Sequence, residues 1–122
     1  MIGKAYKSLV PYYDRSDKKQ KFKSRPCLII GQADHGDYVV LPISSITDRS
    51  RVHPKYDMPL DSTKFTFLMK DSYLRTHKQT VVNIANLRDE LSDFCVDYED
   101  VYVDALALVE EFQTQMIIDA IN

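Results

Sequence analysis

The chain has 122 residues, 44% hydrophobic and 28% charged, which fits one soluble globular domain over residues 1–122 and excludes a disordered or fibrous chain. No apolar run is long enough to cross a bilayer, and Lys4 and Lys7 interrupt the stretch where a signal-peptide core would lie, so a cytoplasmic protein without a membrane partner is expected. The net charge of -2 hides an asymmetry that permits phosphate binding: residues 1–25 hold eight Lys/Arg against two acids, while residues 89–122 hold ten acids and no Lys or Arg.

In chain order, the β-branched and aromatic content of Ala5 to Tyr13 predicts a first strand. Asp14 to Ser24, polar and lysine-rich, reads as a surface loop. Cys27 to Gly31 is a short buried strand, Ala33 to Asp37 a hairpin connection with Gly36 at positive φ, and Tyr38 to Ile43 the returning strand. Thr47 to Pro54 reads as a second polar loop carrying Arg49 and Arg51. Further short strands are expected at Tyr56 to Leu60, Phe65 to Met69, Tyr73-Leu74 and Gln79 to Ile84, and a short helix within Asn86 to Leu91. From about Tyr98 the period changes. Val101, Ala105, Leu108, Val109, Phe112, Met116 and Ala120 form the stripe of an amphipathic terminal helix, with Asp97 or Ser92 as its cap. Many short strands followed by one helix give a mostly β, α+β fold, a small antiparallel barrel. Cys27 and Cys95 read as two reduced, buried thiols, with a disulfide as the alternative.

The motif with chemical content is the pair formed by Ser24-Arg25-Pro26, entering one strand, and Pro42-Ile43-Ser44-Ser45, leaving the next. An arginine fork and small hydroxyl donors suit a phosphate that gains negative charge. The arrangement resembles the MazF/PemK (Kid-like) family of toxin ribonucleases, in which an Arg-Pro step and a strand ending in a hydroxyl residue supply the active site. The resemblance implies an SH3-like barrel, usually a homodimer. It also implies cleavage of single-stranded RNA without metal or other cofactor, and a cognate antitoxin protein that covers the same face.

On that resemblance Arg25 and Ser44 are the expected catalytic residues, with Ser45 beside them. Asp71 and His77 are secondary candidates, and Gln20 stands where relatives place an acid. Lys21, Lys23, Arg49, Lys70 and Arg75 are the expected contacts to RNA phosphates, Arg75 lying in a Leu-Arg-Thr segment similar to one in the family. Asp34-His35-Gly36-Asp37 has the spacing of a hairpin tip and no further His/Cys set, so no metal site is expected there. The competing reading is a non-catalytic barrel that binds RNA or a protein partner, favoured by the missing acid at Gln20.

Overall fold

The computed structural model describes residues 1–122. Seven strands are present: β1 (Lys4–Asp14), β2 (Lys19–Asp34), β3 (Asp37–Ser44), β4 (Asp57–Leu60), β5 (Ser72–Arg75), β6 (Thr80–Asn83) and β7 (Leu87–Asp93). Two helices follow, the single turn α1 (Phe94–Asp97) and the long α2 (Glu99–Ile121). All strand pairings are antiparallel, in the order β4-β5-β3-β2-β1-β7, with β6 also paired to β3. The outer edge of β3 therefore serves two neighbours: β6 up to Val40 and β5 from Ile43. Pro42, with no amide hydrogen to give a ladder, falls in the gap between them. Register shifts in β1–β7 and β2–β3, and the positive φ of Asp89, bend the sheet into a curl.

Gly36 takes φ 76° at the β2–β3 turn, as the sequence predicts. Several other expectations are corrected. The expected loop Asp14 to Ser24 is the outer half of a long two-stranded arm, with Pro11 opposite Phe22 and Asp14 opposite Lys19. Its turn is built by the Asp14 carboxylate, which accepts from the amides of Ser16 (2.9 Å) and Asp17 (3.3 Å), with Lys18 at φ 54°. Opposite charges thus pair across the turn and keep a polar segment in strand pairing. Phe65 to Met69 is not a strand but a run of turns that drives Phe65 into the core. In place of a helix at Asn86 to Leu91, a 3-10 turn at Ile84–Asn86, capped by Asn83, leads into β7. The helical cap is Asp93, whose carboxylate accepts from the amides of Cys95 and Val96. Tyr98 precedes α2 without a side-chain cap, and Glu99 and Asp100 supply negative charge to its first turn.

The main core gathers Leu28, Leu41, Ile43, Leu60, Leu74 and Phe65 from the sheet side with Phe94, Ala105 and Val109 from the helices. A smaller cluster of Cys27, Ile29, Val40 and Leu87 lies on the opposite face, so the middle of β2 is buried on both sides. Of the predicted helical stripe, Ala105 and Val109 are buried and Phe112 is half-buried against Tyr56, whereas Met116 and Ala120 are exposed because α2 runs on past the sheet. Cys95 is exposed rather than buried, and both cysteines are free. No helix is long and apolar enough to cross a membrane.

Candidate functional site

Arg25 lies on β2 opposite Ser8 of β1, and Ser44 ends β3 opposite Tyr73 of β5. The β2–β3 ladder pairs Cys27 with Pro42; the same register continued by two residues brings Arg25 level with Ser44. Both residues line the same three adjoining depressions. The two motifs, distant in sequence, meet at one end of the sheet.

The first depression is a mixed cleft of about 390 Å³, walled by Lys7, Phe67, Leu68, Met69, Lys70 and Leu91. The second, about 320 Å³, is polar and is closed by Thr47, Asp48, Arg51 and Arg75. The third is an apolar trough of about 230 Å³ on the face of the smaller cluster, floored by Val10, Tyr12, Cys27, Val40, Pro42 and Val82. Ser45 borders the first two.

Electrostatics distinguish the cations. Arg25 is exposed, and its guanidinium makes no hydrogen bond or ion pair with the protein; the Ser44 and Ser45 hydroxyls are likewise unengaged. Its backbone is held instead, because the buried Ser8 hydroxyl donates to the Arg25 carbonyl at 3.1 Å. Lys23 borders the trough and sits 4.3 Å from the centre of the Tyr12 ring. Lys70 is free and exposed on the rim of the cleft.

Arg75 is committed differently. Its Nε donates to Asp57 Oδ1 at 3.0 Å and its Nη2 to Oδ2 at 3.3 Å, and the Asp57 side chain is fully buried. Asp57 also accepts from the His53 amide at 2.8 Å. Arg75 therefore borders the polar depression as a neutralised partner. Lys21 is paired with Asp14 (2.8 Å) and with Asp17 at the arm's turn and lines none of the depressions.

The secondary candidates lie elsewhere. Gln20 is five residues out along β2 from Arg25, about 16 Å at strand rise, so it stands apart from the Arg25 and Ser44 pair. Asp71 accepts from the amide and hydroxyl of Ser62, both at 2.8 Å, which hold its carboxyl below the usual range and spend it on a loop. His77 packs among His53, Tyr56 and Phe112 beneath α2, with Nδ1 3.7 Å from Asp57 Oδ1. Burial there lowers its pKa, against the pull of Asp57. Arg49 lines none of the three depressions. Asp34 accepts from the His35 amide at the exposed hairpin tip, and no group of three or more His, Cys, Asp or Glu converges on one point.

Sequence reasoning missed Ser8, Thr47 and the inward placement of Arg51. Ser8 alone carried a local signal, as a hydroxyl on the alternating inward face of an apolar strand. Asp48 is the one carboxylate lining the three depressions, and no histidine lines them. Comparisons with protein-family models and with curated proteins return no match.

Proposed function

We propose that the chain is an SH3-like barrel of the MazF/PemK kind and a metal-independent endoribonuclease that cuts single-stranded RNA. The observation that carries this reading is the meeting of an unpaired Arg25 guanidinium with the free hydroxyls of Ser44 and Ser45 where three depressions join. Such a point accepts a phosphate that carries chain in several directions. Resemblance in element order and in the Arg-Pro and Ser-Ser motifs supports the family reading.

In this reaction the neighbouring 2′-oxygen forms a bond to phosphorus while the bond to the 5′-oxygen breaks. The 2′ proton leaves to water and the 5′-oxygen takes a proton from water, giving 2′,3′-cyclic phosphate and 5′-hydroxyl ends. Arg25 stabilises the charge that builds on the non-bridging oxygens with the planar donor fork of its guanidinium. Ser44 adds a neutral donor. No histidine lines the site and its one carboxylate, Asp48, is held by Ser50, so the roughly 10²–10⁴-fold contribution of a positioned general acid or base is forgone and slow turnover is expected.

The toxin reading includes a second copy of the chain and a cognate antitoxin. Met116, Ile117, Ile118 and Ile121 are exposed at the end of α2, which gives a homodimer apolar surface to cover. Sedimentation at the mass of one 14.1 kDa chain would contradict the dimer. The direct test of activity is incubation of the purified protein with mixed single-stranded RNA, with and without chelator; cleavage in both supports the proposal. A second reading, a binding module without catalysis, is favoured by the absence of any histidine at the site and by the engagement of its one carboxylate, Asp48, with Ser50. Tight binding without cleavage on any RNA would select it.

A further inference from the structure

We infer that the polar depression beside Arg25 is a second phosphate site, which takes the phosphodiester next to the one being cut. The inference rests on the RNA reading above and adds a location, a residue and a measurable charge count to it.

Two guanidiniums, those of Arg25 and Arg51, face this depression without a carboxylate in ion-pair reach, and the hydroxyls of Ser44, Ser45 and Thr47 add neutral donors. Arg75 stands behind them but is cancelled by Asp57. It still helps to shape the site, since its Nη2 reaches the Arg51 carbonyl at 3.5 Å.

Asp48 is the one acid present, and it is turned to structural use. Its carboxylate accepts from the Ser50 amide at 3.0 Å and the Ser50 hydroxyl at 2.6 Å, fixing the 3-10 turn that presents Arg51. Those bonds, and the field of Arg51, hold its pKa below the ordinary range. Counting the lining side chains with Asp57, the depression keeps a net charge of +1.

Donors around a small concavity suit tetrahedral phosphate oxygens better than one planar carboxylate. Position argues the same way. Arg25 and Ser44 belong to this depression and to the other two, so a strand whose reacting phosphate rests on them has its neighbouring phosphate within reach of Arg51. The apolar trough on the other side is left for a base.

The test is the salt dependence of binding for a fluorescent single-stranded 20-mer and for an acidic peptide of equal charge. Wild type is compared with Arg51→Gln and Thr47→Val, and with Lys64→Ala as a control, since Lys64 lies beside Tyr98 and Glu99 and lines none of the three depressions. Circular dichroism confirms folding, which exposed Arg51 makes safe. Loss of one phosphate contact should lower the slope of log K against log salt by about 0.7 in Arg51→Gln. Affinity at low salt should fall about tenfold, as for a charge-assisted bond. Lys64→Ala should leave both unchanged. An unaltered slope in Arg51→Gln, or a loss confined to the acidic peptide, would overturn the second phosphate site. Binding with the expected slope change but without cleavage would keep this site and remove the nuclease reading. No binding of the 20-mer by wild type would remove both.

Discussion

The Ser8 hydroxyl, buried in the middle of β1, donates to the backbone carbonyl of Arg25 at 3.1 Å, fixing the strand while leaving the guanidinium free. Ser8→Ala is therefore expected to cost about 1 kcal/mol of stability, the ordinary net value of one hydrogen bond. Cleavage should fall at the same time, by less than in any Arg25 variant. Unfolding by urea and a cleavage time course check both; a fully active variant would show that the strand needs no such tether.

Arg75 is expected to be structural. Removing it leaves the buried Asp57 carboxylate without its cation, so Arg75→Ala should lose about 3–5 kcal/mol. Asp57→Asn should recover part of that loss in the double variant, because the uncompensated charge is gone. Urea denaturation of both variants measures it. Unchanged stability in Arg75→Ala would refute the buried-pair account and return Arg75 to the list of RNA contacts.

His77 gives a pH dependence with a defined sign. Burial holds its folded pKa below the ordinary 6.5, while the unfolded chain titrates near that value. The unfolded state therefore takes up the proton first. His77's contribution is fully present above pH 6.5 and is lost as pH falls from there through the folded pKa. Melting temperatures between pH 7.5 and 5.5 should decline less steeply in His77→Gln than in wild type. Parallel profiles would contradict the assignment.

The thiols should behave unequally. Burial pushes the Cys27 thiol up to about 11, against the opposing pull of the Tyr6 backbone, whereas Cys95 is exposed. One thiol per native chain should react with a thiol reagent at neutral pH, and two after unfolding. Modification of Cys27 in the folded protein would show that β2 opens.

What was legible in the sequence follows from locality. Gly36 marks the β2–β3 turn, so the neighbouring placement of the Arg25 and Ser44 strands could be read from sequence; the pairing that brings Arg25 level with Ser44 could not, because it depends on two register shifts between the turn and Ile29. Arg75 and Lys21 illustrate what could not. Whether a cation is free depends on carboxylates brought to it by folding: Asp57 from β4, and Asp14 with Asp17 across a turn whose extended arms looked like loop. The apolar run Phe65 to Met69 has strand composition, yet no neighbouring strand is there to pair it, and its phenylalanine fills the core from a turn instead. The end of α2 shows the reverse case, since its stripe continues past the sheet that would bury it.

The measurement closest to the central claim is cleavage of one mapped RNA by wild type, Arg25→Ala, Arg25→Lys and Ser44→Ala, with a matched strand carrying a 2′-deoxy sugar at the cut site. The account predicts chelator-resistant products with cyclic phosphate and 5′-hydroxyl ends and no cut in the deoxy strand. It predicts no activity in folded Arg25→Ala, little in Arg25→Lys, which lacks the bidentate fork, and a smaller loss in Ser44→Ala. Full activity in folded Arg25→Ala, or cleavage of the deoxy strand at the same position, would contradict it.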